Sequence, residues 1–329
     1  MHMQLAESRG WIRVTSIALV LAASVLGTTA AAQSYPARPI ELTVPFPAGG
    51  ATDIQARALG VAMGKQLGQD VIVVNKPGVS GTLGPATMAR NAPDGYSIGV
   101  LPATLYRVPH LQQVNFDTLK DFTYIANVTD YTFGLIVAKD ARWNSLAELL
   151  TYAKENPGKV SYGTVGAGST GHIAMERLAK AAGVSFNYVP YKGASEQYTA
   201  LLGGHIDIVT DAGFGVMVDS GKARVLATLT RERLETRSDV PTVKEHGYDI
   251  VAESSWGIGG PAGMDPKVVA TLHDAVKTAM QDPIFVQSIT QQNQRAAYMA
   301  PEDYSRYAAE RFAADKVFLT ELGLVPPAR

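Results

Sequence analysis

From residue 40 onward the chain alternates short runs of β-branched and apolar residues with stretches of helical period. That alternation commits it to an α/β fold, because each strand must join a sheet and each helix must bury a stripe against it. Residues 40–44 read as a strand; a Pro- and Gly-rich loop follows, and Thr52 or Asp53 stands where the next helix needs a cap. On that helix Ile54, Ala58, Val61 and Ala62 share one face. Further strand-like runs fall at 71–74, 96–101, 135–138, 160–165, 186–190, 206–210 and 223–229. Ser145 and Glu148 have capping-box spacing. Gly183 ends a helix whose Met175, Leu178, Ala179 and Ala182 face inward. Asp265-Pro266 and Asp282-Pro283 each open a helix, and a last one from Pro301 puts Tyr304, Ala308 and Phe312 on one stripe.

Two extended stretches, 128–137 and 251–259, flank the middle block. Read as hinge strands, they divide the chain into one lobe of residues 137–251 and another of 33–136 plus 252–329. Ahead of both lobes, Arg9 and Arg13 precede an apolar run to Ala32 that closes in Ala30-Ala31-Ala32. A basic start, a short apolar centre and small residues at the end make a secretory signal peptide over 1–32, cleaved after Ala32. Its densest part, 17–26, is shorter than the roughly 20 apolar residues of a membrane span. Export to the periplasm is therefore expected. There is no cysteine, which excludes thiolate metal sites, cysteine nucleophiles and disulfides. The formal net charge of −1 comes from well-mixed charges, so neither nucleic acid nor an anionic membrane surface is an expected partner.

Four loops repeat one construction, a strand followed by small residues and a helix start: 45–53, 101–104, 165–171 and 191–195. Helix N-termini carry unpaired N–H groups and about half a positive charge, which suits them to anions. Each loop taken alone could equally use its glycines for turning. Three other patterns compete with this one. Residues 166–171 match G-x-G-x-x-G, but the acidic residue expected about 20 positions on is missing from Val184-Ser185-Phe186-Asn187-Tyr188, so no dinucleotide cofactor is expected. Ser169, Asp211 and His246 follow the order of an α/β-hydrolase triad, without an oxyanion segment to go with it; an exported serine hydrolase using Ser169 is the enzyme alternative. The six histidines include no H-E-x-x-H and no close pair, which leaves a metal site unsupported.

Several motifs, in order, resemble one family. They are residues 45–53 with Ala56-Arg57, then Asn75-Lys76-Pro77-Gly78, Asp94-Gly95-Tyr96, 166–169 with His172 and Glu176, Pro190-Tyr191-Lys192-Gly193, 201–207, 221–227, 239–242 and Pro261-Ala262-Gly263. This series resembles the tripartite tricarboxylate transporter substrate-binding proteins, the Bug family, across essentially the whole mature chain. The resemblance implies a periplasmic-binding-protein type II fold, a Venus flytrap of two α/β lobes joined by two hinge strands. It implies a monomer, not an enzyme, that captures a small mono-, di- or aromatic carboxylate and passes it to a membrane permease of the tripartite type. Carried over by position, the ligand contacts would be Phe46, Ala48, Gly49, Gly50 and Asp53 in the first loop. Ser169, Thr170, Gly193, Ala194 and Asp211 would come from the other lobe; Ala103 and Thr104 are read as contacts from the construction of the 101–104 loop and not from the family. Asp53 and Asp211 would orient water or a ligand donor. A sensory binding protein without a transport role is the remaining alternative. The chain departs from the family pattern at Pro102-Ala103-Thr104-Leu105-Tyr106-Arg107-Val108-Pro109, where Arg107 could meet a second carboxylate and Tyr106 an aromatic ring.

Overall fold

A computed structural model of the chain describes residues 35–326, and residues 38–326 form one body. The leader read at 1–32 lies outside the described residues. The chain starts with β1 (Ile40–Val44), α1 (Ala51–Leu67), β2 (Val71–Asn75), α2 (Leu83–Met88), β3 (Ser97–Pro102), α3 (Thr104–Leu111) and β4 (Phe122–Asp130). It then crosses into β5 (Phe133–Ala138), α4 (Leu146–Glu155), β6 (Ser161–Thr164), α5 (Thr170–Ala182), β7 (Asn187–Pro190), α6 (Ala194–Leu202), β8 (Ile208–Ala212), α7 (Gly215–Asp219) and β9 (Ala223–Thr228). It returns for β10 (Ser255–Pro261), α8 (Pro266–Ala279), α9 (Pro283–Gln291), β11 (Arg295–Met299) and α10 (Pro301–Glu321).

The strands make two mixed sheets, ordered β11-β4-β10-β3-β1-β2 and β7-β6-β8-β5-β9. In the first, β1 runs parallel to β2 and β3, while β10 is antiparallel to both β3 and β4. In the second, β6 runs parallel to β7 and β8, and β5 is antiparallel to β8 and β9. Strands covered on both faces need apolar side chains throughout, and Ile40, Leu42, Val44, Ile98, Val100 and Leu101 are fully buried accordingly. Each sheet has its own core. One gathers Met88, Leu101, Leu105, Tyr106, Phe122 and Tyr304; another gathers Leu135, Trp143, Leu149, Tyr162, Leu178 and Ile208. The molecule is thus two α/β lobes, and the chain passes between their sheets at 131–132 and again just before β10. The two crossings are tied together, since Tyr131 N–H donates to the Ser254 carbonyl at 2.7 Å.

Three caps fall where the sequence puts them, but α1 starts from Gly50 with no side-chain cap, so neither Thr52 nor Asp53, both inside the helix, caps it. Ser145 accepts from Glu148 N–H, Asp265 from Lys267 N–H and Asp282 from Ile284 N–H. Helix α1 corrects the periodicity reading. Ala58 and Ala62 are buried, but Ile54 and Val61 are exposed, and Gln55, Leu59 and Met63 complete the inward face instead. Gln55 belongs there because it accepts from the Trp256 indole N–H and donates to Gln294 Oε1, leaving no buried polar end of its side chain unpaired.

Candidate functional site

The strand–helix loops of both lobes face one another across a cleft of about 580 Å³. Four helix starts meet on its wall: Gly50 and Ala51 of α1, Ala103 and Thr104 of α3, Ser169 and Thr170 of α5, and Ala194 of α6. Phe46, Pro102 and Val165 line it from the strand ends, and Tyr131, Phe133 and Ser254 from the two crossings. Asp211 and Ala212, at the end of β8, complete the wall together with Thr52. Among the described residues, no lysine, arginine or histidine is part of it. An anion here would meet helix N-termini and hydroxyl groups, not a cationic clamp.

Of the residues read as contacts, Phe46, Gly50, Ala103, Thr104, Ser169, Thr170, Ala194 and Asp211 line the cleft, while Ala48, Gly49, Asp53 and Gly193 do not. Asp53 looks the other way. Its carboxylate accepts from Gly49 N–H (2.9 Å), Arg57 Nε (3.0 Å) and Asn75 Nδ2 (2.7 Å), and Asn75 Nδ2 also donates to the Phe46 carbonyl (2.9 Å). Burial acts to raise its pKa, but the bonds from Arg57, Gly49 and Asn75 outweigh burial and hold it below the ordinary carboxylate value. Asp53 therefore shapes the first loop from behind and touches nothing in the cleft. Ala48 and Gly49 lie on the exposed outer turn of that loop, where Gly49 has φ +80°. Gly193 faces Pro47 across the lobes: a Cβ there would sit 2.4 Å from Pro47 Cδ.

Gly193 is one of several glycines at which the lobes meet. Added Cβ atoms at Gly166, Gly168, Gly213 and Gly215 would approach Ser80 Oγ (2.4 Å), Leu111 Cδ1 (2.5 Å), Ala51 Cβ (2.4 Å) and the Gln291 carbonyl oxygen (2.2 Å). The two lobes meet through glycines at which an added Cβ would press on the opposite lobe.

Ser169 caps α5, accepting from His172 N–H (3.3 Å) and donating to Thr164 Oγ1 (3.1 Å). Asp211 accepts from Ala212 N–H (2.7 Å) and Gln197 Nε2 (3.1 Å), and His246 sits in a one-turn 3₁₀ segment outside the cleft. No hydrogen bond joins any two members of the serine, aspartate and histidine set, so the nucleophile–base contact a triad requires is missing. Burial, with Ala212 and Gln197 acting against it, pushes the Asp211 carboxyl up to about 7. Thr104 Oγ1 is buried on the cleft wall without a partner. Thr52 Oγ1 and the Tyr131 hydroxyl bond to each other at 2.5 Å.

Neither Tyr106 nor Arg107 reaches the cleft. Tyr106 is in the first-lobe core, its hydroxyl donating to that of Tyr304 at 3.4 Å. Arg107 borders a separate cavity of about 770 Å³ between α5 and α10. Its Nε pairs with the buried Asp315 (3.0 Å), which Arg311 also holds (2.9 Å), and its Nη1 donates across the lobes to Thr170 Oγ1 (2.7 Å). Arg107 is thus a strut between the first lobe and a helix start of the second.

Sequence reasoning misses Ala51, Thr52, Pro102, Tyr131, Phe133, Val165, Ala212 and Ser254 on the wall. For Tyr131, Phe133 and Ser254 a signal exists, because both crossing stretches read as extended and any ligand between lobes must lie against them.

Among the described residues no helix is long and apolar enough to cross a membrane, and no group of His, Asp and Glu could hold a metal ion. The family model described as "Tripartite tricarboxylate transporter family receptor" matches residues 55–324. The chain is 42% identical over 318 residues to the UPF0065 protein in the gbd 5′ region of Cupriavidus necator, covering 96% of this chain and 97% of that one. Among solved structures it is similar to the periplasmic binding protein BugD, with 31% identity, a TM-score of 0.85 and coverage of 88% and 99%. An R. palustris protein solved with adipate gives 26% identity, TM-score 0.84 and coverage of 89% and 99%. MatC from Rhodopseudomonas palustris, solved with malate, gives 25%, 0.78, and 86% and 99%.

Proposed function

The chain belongs to the tripartite tricarboxylate transporter family of receptors, and from that membership we propose that it captures a small carboxylate in the periplasm and presents it to a permease of the tripartite type. The observation that carries this reading is the convergence of four helix starts on one cleft whose wall has no cationic side chain. Fixed N–H groups and hydroxyls can replace the hydration of a carboxylate without a counter-charge. That two structural relatives were solved with adipate and with malate supports a carboxylate ligand, mono-, di- or aromatic. Phe46, Gly50, Thr104, Ser169, Thr170, Ala194 and Asp211 are the side of the cleft we assign to it.

In this reading the lobes move as the two sheets do, turning about 131–132 and 252–254. Residues 1–32 act as the cleaved leader that delivers the protein to the periplasm. The test is a thermal-shift and calorimetric screen of the mature protein against carboxylates, with aryl and alkyl esters included. A ligand at 100 times its Kd adds about 2.7 kcal/mol to stability. Stabilisation by an acid with no ester turnover is expected; ester hydrolysis that vanishes in Ser169→Ala would replace the receptor with the hydrolase. Uptake of the bound acid into vesicles carrying the permease should depend on added protein, and protein-independent uptake would remove the transport role.

A further inference from the structure

Thr170 lines the cleft and also the second cavity between the lobes, whose charges do not balance. Helix α3 brings Arg107 to that cavity, α10 brings Arg311 and Asp315, α5 brings Arg177, and the second crossing brings Glu253. Asp315 is committed at both oxygens, one held by Arg107 Nε (3.0 Å) and the other by Arg311 Nη2 (2.9 Å). Glu253 is held by Arg231 Nε at 3.0 Å. Arg177 donates to the Asp249 main-chain carbonyl (2.9 Å) and reaches across the lobes to Phe318, its guanidinium carbon 5.5 Å from the ring centre. Among the described residues it has no carboxylate partner. Four arginines therefore share two carboxylates, which leaves two positive charges in excess. A guanidinium carries five N–H donors. Among the described residues Arg177 and Arg311 each spend one, and both side chains are only half-buried.

We propose that this cavity is a second anion site, which takes a tetrahedral dianion of the phosphate type, and that its occupation favours the closed cleft. Two excess charges call for a dianion. The guanidinium groups reach in from three helices of two lobes, and a tetrahedral anion can meet donors from several directions. A planar carboxylate offers its two oxygens to one fork. Arg177 belongs to the second lobe and Arg311 to the first, so an anion held by both ties the lobes in the arrangement in which they meet across the cleft. The strut from Arg107 to Thr170 already joins the wall of this cavity to a helix start of the cleft (2.7 Å). Two ligands that favour one arrangement each raise the other's affinity, and by the same factor. Binding of the dianion does not depend on what the cleft holds; the coupling rests on reading the cleft as a carboxylate site.

Calorimetry of the mature protein at pH 8 and fixed ionic strength, with inorganic phosphate and phenyl phosphate as probes, tests the site; both are dianions there. Saturable one-to-one binding of at least one is expected, weakened roughly tenfold or more in Arg177→Gln. Tighter binding of phenyl phosphate assigns the site to a phosphomonoester whose body lies on Ile173 and Phe318, and equal or tighter binding of inorganic phosphate assigns it to the free ion. Ala314→Glu, at an exposed position on the cavity wall, puts a carboxylate in the anion's place without touching the core and should abolish binding. No saturable binding, or binding unchanged in folded Arg177→Gln and in Ala314→Glu, overturns the site. The best acid from the screen, titrated with and without saturating probe, tests the coupling. Its affinity should rise by about fivefold or more, and the probe's by the same factor when the acid is bound. An unchanged acid affinity overturns the coupling alone. If no acid binds, the carboxylate reading falls and the phosphate titration still decides the site.

Discussion

Gly193→Ala separates lobe closure from folding. The backbone there is extended, with φ −179°, so an alanine adds no conformational strain. Its methyl group would lie 2.4 Å from Pro47 Cδ and 3.0 Å from Cγ in the closed molecule. Carbon atoms ordinarily pack at about 3.5–4.0 Å, so the overlap is on the order of 1 Å. The proline ring cannot turn away, and its loop is pinned from behind by the Asp53, Arg57 and Asn75 bonds. Overpacking of this kind costs about 1–3 kcal/mol, here charged to the closed state alone. Ligand affinity should therefore fall by about 5- to 150-fold, with the unfolding midpoint of the ligand-free protein within a degree or two of the original. Calorimetry with the best acid from the screen measures the first and thermal unfolding the second. Pro47→Ala removes the two ring atoms concerned, and the double variant should recover most of the lost affinity. Unchanged affinity in Gly193→Ala, or a loss that Pro47→Ala does not relieve, would refute the idea that this contact forms on binding.

Asp211→Asn should raise stability at pH 8 and leave it unchanged near pH 4. The folded-state carboxyl titrates at about 7, above its unfolded value of 3.8, so the native protein loses stability as pH rises between those values. At about 1.4 kcal/mol for each factor of ten in the proton equilibrium, the gain at pH 8 is up to about 4 kcal/mol, read by urea unfolding. Asp53→Asn should act in the opposite sense, costing stability at pH 7 and little at pH 2, because the native carboxyl is held below its ordinary value and its contribution is lost as pH falls through that range. Arg107→Met should cost about 1.5–3 kcal/mol of unfolding free energy, the worth of one charged hydrogen bond, since Asp315 keeps Arg311. Arg107→Met together with Asp315→Leu should recover part of that stability, while the dissociation rate of the ligand stays raised because the bond to Thr170 is still missing.

What is legible in the sequence is whatever depends on a few neighbouring residues. A strand followed by small residues and a helix start has a local signature, and for that reason the loops 45–53, 101–104, 165–171 and 191–195 that border the cleft can be picked out from the sequence, while single contacts such as Phe46, Gly50, Ser169, Thr170 and Ala194 come only through the family resemblance. The family resemblance places Asp53 among the contacts, and the cleft wall does not include it. An acid in the first turn of a helix can look toward a ligand or back at its own loop, and the choice is made by Asn75 and Arg57, of which Asn75 lies 22 residues away. Helix α1 shows the same limit: Gln55 faces inward because Trp256 and Gln294 meet it there, not because of its hydropathy. Strand β11 escapes the periodicity reading, since Arg295–Met299 is a largely exposed edge strand whose apolar residues do not alternate with polar ones. Helix α3 is only half legible, with Pro102 just before it and Pro109 inside it.

The glycines carry the largest gap between what a sequence displays and what it means. Gly49, with φ +80° and open space around its missing side chain, is a turning residue. Gly193 and Gly215 have ordinary backbone angles and need no side chain only because the opposite lobe arrives at 2.4 Å and 2.2 Å. In the sequence these three are indistinguishable, and all sit in or beside strand–helix loops. The first would tolerate an Asn or Asp with modest strain, since those residues visit the left-handed region most readily. The other two would tolerate alanine in an open molecule and reject it in a closed one. A glycine that is silent in folding and expensive in closing is what a protein that cycles between two lobe arrangements requires, because the contact must be tight without being permanent. The separation of effects in Gly193→Ala, and a parallel one in Gly215→Ala against the Gln291 carbonyl, follows from that requirement and from nothing in the local sequence.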